Sequence, residues 1–385
     1  MRKNKSQEKI MEDLIAIRRH LHQHPELSKQ ESKTQEFVLG LLGKLNVDSV
    51  EKVANTGIVV FFKGKAEGKN LLFRGDMDAL PIQEFNDFEY RSSSENVSHK
   101  CGHDGHTTIM YGLAKQYAIE RPEKGDVCIV FQPAEEIGWG AVEIVKTGLL
   151  DKHSIDNVVS LHNVPGYVLH DIVCREGSFT PAVTTLIASF IGYTSHAAEP
   201  WNGRNPAAAM SKYMLEALKY NEEQKKTHEF VTITPVYTEM GALAYGTSAG
   251  EGSVHLTIRA DSTEKLERIL AAIQEQGFAI AKGEGLQIKF KEEERFESNK
   301  NAQDVVALIK ASANHLGLNY VEKDEPFRWG EDFGIYTQKV EGAMFGIGSG
   351  LDCKPLHHPA YDFPDEIITT AINMFITLQK EAQKK

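Results

Sequence analysis

The sequence predicts an α/β protein with a mostly parallel sheet, helices on both of its faces, and an inserted ferredoxin-like α+β domain. The chain has 385 residues, which suits two domains better than one. Toward both ends of the chain, short apolar runs alternate with helical stretches, as they do in βαβ units. In the middle, the elements follow a βαββαβ order, which is the pattern of a ferredoxin-like sandwich.

The first domain opens with two helical patterns. Residues 7–23 place apolar side chains at helical spacing, and Pro25 ends the run. A second helix is predicted over "TQEFVLGLLGKL". Strands buried on both faces are predicted for short apolar runs, which are "GIVVFF", "NLLFR", "DVCIVF", "NVVSLH" and, near the C-terminus, "GAMFGIG". Two helical stretches lie between these runs, "TTIMYGLAKQYAIE" and "AVEIVKTGLL". We assign residues 1–179 and 294–385 to this domain.

The inserted domain is predicted for residues 180–293. Its elements, in order, are the strand "TTLIASFIGY", the helix "NPAAAMSKYMLEALKY", the strands "EFVTITPVY" and "SVHLTIRA", the helix "TEKLERILAAIQEQGFAIA" and the strand "QIKFKEEE". We expect these elements to fold as a unit within the first domain.

Composition excludes several classes of function. The formal net charge of -11 disfavours a nucleic-acid surface, since neutralising phosphates needs a basic patch. The N-terminus is too polar for a signal peptide, and no apolar run approaches the ~20 residues of a membrane helix. We therefore expect a cytoplasmic protein without a membrane partner. The four cysteines are expected to be reduced thiols.

Polar clusters follow the predicted strands at the point where each strand ends. In open α/β sheets, functional groups gather beyond the carboxyl ends of the strands. Each cluster alone is most simply a turn, a helix start or a hydrogen-bonded histidine, but a shared edge of one sheet predicts a common site. The clusters are Asp76 with Asp78, the loop "CGHDGH" with Cys101 and His103, Glu135 with Glu136, His162, and His357 with His358.

The grouped side chains predict a metal site. Imidazole and carboxylate suit zinc, manganese, nickel and cobalt, and a thiolate favours softer ions. Two ions need more ligands than one, and the candidates number five, namely Cys101, His103, Glu136, His162 and His357. Glu135 then stays free as general base for a water molecule activated by the metal. Asp78 would hold a ligating imidazole in its tautomer.

Two other interpretations of these residues stay open. A hydrolase that uses the Cys101 thiol as its nucleophile would resist chelators and be sensitive to alkylating agents. A catalytically silent metal-binding or regulatory protein would keep the ligands alone, and it would not need the additional carboxylate of Glu135. Asp104 and His106 are expected to be structural residues at the start of a helix that begins near Thr107.

Taken together, the motifs resemble the M20 metallopeptidase family, in particular its aminoacylase branch of N-acyl-amino-acid amidohydrolases, hippurate hydrolases and auxin-conjugate hydrolases. The matching stretches run in the family's order from about residue 14 to 363, and they are "IRRHLHQHPELSKQE", "RGDMDALPIQE", "KCGHDGHTT", "FQPAEEIGWGA", "LHNVPG", "SHAAEPWNGRNP" and "LHHPAYDF". The resemblance implies a metal-dependent amidohydrolase that cleaves N-acyl amino acids or similar small conjugates. It also implies two divalent ions, with manganese or zinc expected first and nickel or cobalt as alternatives. A dipeptidase or carboxypeptidase of the same family is the second interpretation.

The resemblance also implies roles for individual residues. Cys101 and His103 fall on the branch's Cys-x-His ligand pair, and His162 falls on the ligand that ends a strand. Glu136 falls on the metal-binding glutamate and Glu135 on the general base before it. Asp76 stands where other branches carry a metal-binding histidine, so we expect it, like Asp78, to support the ligands. In "LHHP" the first histidine, His357, falls on the ligand, and His358 occupies the position of a small polar residue.

The inserted domain resembles the family's lid and dimerisation domain, which implies a homodimer. Its His196, in "SHAA", falls on a histidine that steadies the oxyanion in related enzymes, often from the partner subunit. Departures from the family pattern are concentrated in this region. "MGALAYGTSAGEG" replaces a Gly-rich turn followed by Asn-x-Ile-Pro and puts Tyr245 near the asparagine position, and Trp201 follows Pro200 where relatives carry histidine. "FRWGEDFG" keeps the family's Glu-Asp pair but has Arg-Trp before it, so the motifs do not predict the preferred acyl group.

Overall fold

The structure, a computed structural model, describes residues 5–227 and 230–384, with side chains for residues 9–221 and 230–384. The chain divides into two compact units. The first comprises Met1–Phe179, Asn299–Glu325 and Glu331–Lys385, and the second comprises Thr180–Ser298 and Pro326–Gly330. Among the described helices, none is both long and apolar enough to cross a membrane.

The N-terminal part of the first unit contains five helices and seven strands. They are α1 (Lys5–Gln23), α2 (Ser32–Leu42), β1 (Ser49–Val53), β2 (Gly57–Phe62), β3 (Leu71–Asp76), α3 (His103–Ile119), β4 (Val127–Gln132), α4 (Gly140–Lys146), α5 (Leu149–Lys152), β5 (Asn157–Val164), β6 (Ile172–Cys174) and β7 (Gly177–Thr180).

The second unit contains two long helices and six strands. They are β8 (Ala182–Ile191), β9 (Ser195–His196), α6 (Ala207–Thr227), β10 (Val231–Met240), β11 (Thr247–Ser248), β12 (Glu251–Ala260), α7 (Thr263–Gly283) and β13 (Gln287–Phe296). A short 3₁₀ helix, Pro200–Asn202, lies between β9 and α6.

The chain then returns to the first unit and completes it with three strands and three helices. They are β14 (Asn299–Asn301), α8 (Gln303–His315), β15 (Tyr320–Glu322), α9 (Gly334–Thr337), β16 (Gly342–Gly348) and α10 (Ile367–Ala382).

The large sheet of the first unit has eight strands in the order β1-β2-β4-β3-β5-β16-β6-β15. Its centre, formed by β4, β3, β5 and β16, is parallel, whereas β1, β2 and the pairing of β16 with β6 are antiparallel. Every residue of β3, β4, β5 and β16 is buried, which explains why these strands read as continuous apolar runs. Phe73 of β3 and Phe345 of β16 both pack against Phe375 of α10. The predicted α/β class is confirmed.

The helix after the "CGHDGH" loop begins earlier than the sequence predicted. We expected a start near Thr107, but α3 starts at His103. Gly102 has a left-handed backbone, with φ of 97°, and its carbonyl accepts the N–H groups of Gly105 and His106. A glycine in this conformation turns the chain directly into the helix, so His103 and Asp104 belong to the first helical turn.

The second unit is built on a four-stranded antiparallel sheet in the order β10-β12-β8-β13, with α6 and α7 packed against it. This strand order is that of a ferredoxin-like sandwich. Its core includes Leu186, Phe190, Tyr213, Leu256 and Ile273. Strand β10 starts at Val231, and Glu229, which the sequence analysis included in this strand, lies outside the described residues.

Candidate metal centre

The parallel strands of the large sheet deliver polar side chains to one edge. β3 ends at Asp76, the segment after β4 carries Glu135 and Glu136, and β5 carries His162 near its end. The structure brings all of the predicted ligands into mutually close groups, with ligand atoms within 4.8 Å of one another. The groups are Cys101 with His103 and His162, Cys101 with Glu136 and His357, and His103 with Glu135 and Glu136.

Gly102 allows two neighbouring ligands to share the centre. It separates Cys101 from His103, and its φ of 97° lies where side chains other than glycine are strained. A Cβ atom at this position would lie 2.5 Å from the Oδ1 atom of Asn163. Both the conformation and the close approach therefore require glycine between the two ligands.

Backbone carbonyls fix the tautomers of two predicted ligands. The Nδ1 atom of His103 donates to the carbonyl of Asp78 at 2.9 Å, and that of His162 donates to the carbonyl of Asn163 at 2.8 Å. Each ring therefore directs its Nε2 atom toward the other predicted ligands. The Nε2 atom of His162 lies 3.5 Å from the Cys101 Sγ atom, and that of His103 lies 3.7 Å from the Glu136 Oε1 atom. This arrangement is typical of metal-binding histidines.

Two buried polar atoms of the centre support the presence of a cation. His103 Nε2 and Glu136 Oε1 are buried and have no hydrogen-bond partner among the described residues. An unpaired buried polar atom costs on the order of 1–3 kcal/mol, so such atoms usually have a function. A divalent cation would satisfy both atoms, and the mixture of sulfur, nitrogen and oxygen donors suits a transition metal.

The environment of Cys101 disfavours the thiol-nucleophile interpretation. Burial raises the pKa of its thiol well above the usual value, and the carboxylates of Glu136, Glu135 and Asp76 raise that pKa further. Reactive cysteines lie instead in electropositive surroundings that stabilise the thiolate. A cation bound among these carboxylates would reverse the effect, which fits a ligand.

Asp78 fixes the backbone of the tandem glutamates. Its carboxylate accepts the N–H groups of Glu135 and Glu136, both at 3.1 Å, and the hydroxyl of Ser28 at 2.7 Å. The preceding Ala134 has a left-handed φ of 51°, and its N–H donates to Glu31 at 2.8 Å. The chain is thus held where both glutamate side chains reach the Nε2 atom of His103, at 3.9 Å from Glu135 and 3.7 Å from Glu136.

Glu135 belongs to a group of buried acidic side chains. Its carboxylate lies within 4.8 Å of those of Glu331 and Asp332, and all three residues are buried. Burial raises the pKa of Glu135 well above the usual value, and the charges of Glu331, Glu136 and Asp332 raise it further, whereas Arg74 opposes them. A buried carboxylate with a raised pKa is a stronger base than an exposed one, which suits a general base.

Arg74 holds this acidic group together. Its guanidinium lies 2.6 Å from Asp76, 2.8 Å from Glu331 and 2.7 Å from Asp332, and it donates to Gln132 at 2.9 Å. All of these side chains are buried. The sequence analysis did not find this role, although an arginine within the apolar run "NLLFR" was an available signal.

Asp76 lies next to the predicted ligands. Its Oδ1 atom lies 2.6 Å from the Nδ1 atom of His106 and 3.6 Å from the Nε2 atom of His103. Burial favours its protonated form, but His103, His106 and Arg74 outweigh burial and hold its pKa well below the usual value. Asp76 therefore presents a negative charge at the centre.

Of the two adjacent histidines, His357 is the one at the centre. Its Nε2 atom lies 3.7 Å from the Glu136 Oε2 atom, and its backbone is left-handed, with φ of 64°. His358 is exposed, and its Nδ1 atom accepts the N–H of Ala360 at 3.0 Å.

His196 belongs to the second unit and lies on β9, where it is exposed. β9 pairs with β11, so that His196 stands opposite Thr247, and its Nδ1 atom accepts the N–H of Ala198 at 3.1 Å. Two departures from the family pattern, Trp201 and Tyr245, are also exposed in this unit.

Comparison with known proteins gave matches along most of the chain. The sequence profile described as peptidase family M20/M25/M40 matches residues 72–381. The N-acetyldiaminopimelate deacetylase of Streptococcus uberis is 32% identical over 368 residues, which cover 92% of this chain and 95% of the relative. The N-acetyl-L-cysteine deacetylase of Bacillus subtilis is 29% identical over 367 residues, which cover 94% of this chain and 86% of the relative. The crystal structure of the Bacillus subtilis YXEP protein, described as a dinuclear metal binding peptidase, superposes with a TM-score of 0.83 at 27% identity, covering 97% of this chain and 98% of that one.

Proposed function

This chain belongs to peptidase family M20/M25/M40 and is a metal-dependent hydrolase of amide bonds, and we propose that its substrate is an N-acyl amino acid or a similar small conjugate. The names of two relatives, which are deacetylases of N-acetylated amino acids, support this substrate class. The observation that carries the proposal is the convergence of five donor side chains from distant parts of the chain, with the Glu135 carboxylate adjacent to them.

In this proposal Cys101, His103, Glu136, His162 and His357 hold two divalent ions. Manganese or zinc is the expected metal, because imidazole and carboxylate donors suit both ions and the thiolate favours zinc. Nickel and cobalt are the alternatives. The fixed histidine tautomers and the unpaired atoms of His103 and Glu136 support this ligand set.

Divalent ions bound there would polarise the substrate carbonyl and lower the pKa of a water molecule. Glu135 takes the proton from the attacking water and delivers it to the leaving amine nitrogen, as its raised pKa allows. Asp78 holds the backbone of Glu135 in place during both transfers. Asp76 places a negative charge beside His103, and Arg74 places a positive charge beside Glu331.

The second unit has the role of a lid in this proposal. His196 donates a hydrogen bond to the oxyanion, a charge that develops only in the transition state, where a preorganised donor is most effective. The exposure of His196 on β9 supports this role, because it leaves the imidazole accessible to a substrate.

We also propose a homodimer formed through the second unit. β10 is an edge strand of the four-stranded sheet, and its C-terminal half carries the exposed apolar side chains of Val236, Tyr237 and Met240. An exposed edge of this kind is a template for pairing with another strand.

The net charge of -11 disfavours nucleic acid as a partner and is compatible with a small-molecule substrate. The cytoplasmic location and the lack of a membrane partner stay predictions.

A hydrolase of small peptides is the second candidate, since the YXEP protein is described as a peptidase. A catalytically silent metal-binding protein would not need the buried, unligated carboxylate of Glu135. The experiment that decides between substrates follows the release of free amine by the manganese- or zinc-loaded protein from N-acyl amino acids and from dipeptides. Faster turnover of N-acyl amino acids supports the proposal, faster turnover of dipeptides supports the second candidate, and no turnover of either overturns both.

A further inference from the structure

A buried polar network lies behind the loop that carries Cys101 and His103. The network has five members, which are all buried and which take no part in the mechanism above, namely Arg18, His22, Glu84, Lys100 and Asp104. Lys100 directly precedes Cys101, and Asp104 directly follows His103. The network therefore touches the chain on both sides of this ligand pair.

His22, in the last turn of α1, joins the two sides. Its Nδ1 atom lies 2.8 Å from the Asp104 carboxylate, and its Nε2 atom lies 3.0 Å from the Glu84 carboxylate. A carboxylate only accepts hydrogen bonds, so the ring donates from both nitrogens and carries a positive charge. Burial alone lowers the pKa of His22, but the hydrogen bonds and charges of Asp104 and Glu84 outweigh it and raise the pKa to about 9.

Lys100 extends the network to a third ligand. Its ammonium group forms an ion pair with Glu84 and donates to the carbonyl of Tyr361 at 2.8 Å. Its own carbonyl accepts the N–H of His357 at 2.7 Å. His22 is thus connected, through Glu84 and Lys100, to the segment that carries His357.

Arg18 anchors the other side of the network. Its guanidinium lies 3.5 Å from Asp104, 2.9 Å from Asp362 and 2.8 Å from Asp365. Burying this many charges costs desolvation energy, and apolar residues of similar volume often give equal or greater stability. The cost in desolvation energy is explained if the network holds nearby groups in position instead of stabilising the fold.

We propose that His22 is a positioning residue for the metal centre. By bonding Asp104 and Glu84 at the same time, it fixes both ends of the segment from Lys100 to Asp104, and with it the spacing of the two ligands inside that segment. The inference rests on the proposed metal-dependent function. It predicts that His22, which is not itself a ligand, controls metal affinity and the geometry of thiolate ligation.

The test compares His22→Ala and His22→Gln with the control Asn301→Ala in the full-length chain. Asn301 is also buried in the first unit, and its amide exchanges two hydrogen bonds with the backbone of Met344, each at 2.8 Å. Affinity for Mn²⁺ and for Co²⁺ is measured by competition with a chromogenic chelator. The absorption spectrum of the Co²⁺-loaded protein reports on the thiolate, and thermal unfolding of the metal-free protein reports on the fold.

We expect His22→Ala to weaken the binding of both ions about 10–100-fold, as other partners of metal ligands do, and to change the thiolate-to-cobalt absorption. His22→Gln should have an intermediate effect, because an amide donates from a single nitrogen, whereas the imidazolium ring donates from two separate nitrogens, one toward each carboxylate. Asn301→Ala should lower the unfolding temperature and leave affinity within about twofold.

Three results would overturn the inference. One is an affinity and a cobalt spectrum like those of the wild type in the His22 variants, even with a lower unfolding temperature. Another is an equal loss of affinity in Asn301→Ala, which would make the effect one of general stability. If His22→Ala does not fold, His22→Gln is judged by the same criterion. A wild-type protein that binds neither ion would overturn the proposed function together with the inference, which distinguishes that outcome from the first two.

Discussion

The backbone carbonyl of Asp78 accepts a hydrogen bond from the Nδ1 atom of His103 at 2.9 Å, and a carboxylate oxygen of Asp78 lies 3.3 Å from the same Nδ1 atom. The two contacts fix the ring and its tautomer. The same carboxylate holds the backbone of both tandem glutamates. One residue thus contacts a proposed nitrogen ligand, a proposed oxygen ligand and the proposed general base.

Replacing Asp78 should therefore weaken metal binding more than it weakens the fold. We expect Asp78→Ala to lower the affinity for Mn²⁺ or Zn²⁺ about 10–100-fold, because His103 keeps its bond to the backbone carbonyl but loses the nearby carboxylate, and the N–H of Glu136 loses its acceptor. The measurement is chelator competition on the purified protein. Ser28→Ala, which removes one hydrogen bond to Asp78, is the matched control and should change affinity by a few-fold at most. Equal affinities in Asp78→Ala and the wild type would contradict this role.

Glu135→Gln should retain both metal ions and lose activity. General base catalysis typically contributes ~10²–10⁴-fold, and an amide cannot accept and release a proton. The measurement pairs kcat on an N-acyl amino acid with metal analysis of the same sample. Glu143→Gln, a half-exposed glutamate of α4 that pairs with Lys146, should keep wild-type kcat. Unchanged turnover in Glu135→Gln would remove this residue from the mechanism.

The adjacent histidines offer an internal control for the ligand set. We expect His357→Ala to bind fewer than two ions per chain, since a donor 3.7 Å from Glu136 is lost. His358→Ala should bind both ions, because this ring accepts a hydrogen bond from Ala360 in its own loop and belongs to none of the donor groups found among the described residues. Elemental analysis after dialysis measures the stoichiometry. The reverse pattern would show that His358 is the ligand.

The sequence could predict the strands and the candidate ligands because both have local signals. β2 and β16 are found where the apolar runs "GIVVFF" and "GAMFGIG" stand, and strands buried on both faces leave such runs. The candidate ligands follow strand ends, whose common edge is a property of the parallel sheet. The pairing of Arg74 with Asp332 spans 258 positions and leaves no local pattern. The same holds for His22, whose partners Glu84 and Asp104 come from two other segments. The start of α3 was misplaced because the left-handed conformation of Gly102, which turns the chain into the helix, leaves no pattern in the sequence.

Arg74 should be essential for stability. It is paired with Asp76, Glu331 and Asp332 in a buried site, so its removal leaves these acidic groups without the cation that compensates them in part. We expect Arg74→Met to lower the free energy of unfolding of the metal-free protein by about 3–5 kcal/mol. Arg121→Met is the control, because the pair of Arg121 with Asp48 is partly exposed and should contribute no more than about 1 kcal/mol. Urea unfolding measures both, and similar losses in the two variants would contradict the argument.

His22 should make stability depend on pH in a defined window. Its pKa in the folded protein is raised from 6.5 to about 9, so the folded state binds this proton more tightly than the unfolded state does. The stabilisation is complete below about pH 6.5 and is lost as the pH rises through about 9, with an upper limit on the order of 3 kcal/mol. Urea unfolding of the metal-free wild type at pH 6.5 and at pH 9 should show this loss, and His22→Gln should show less of it because its amide does not titrate. The difference between the two pH profiles reports on His22 together with the groups whose pKa it shifts, namely Glu84, Asp104 and His99. Parallel profiles would mean that the ring is neutral between Asp104 and Glu84, and that it donates only one of the two hydrogen bonds.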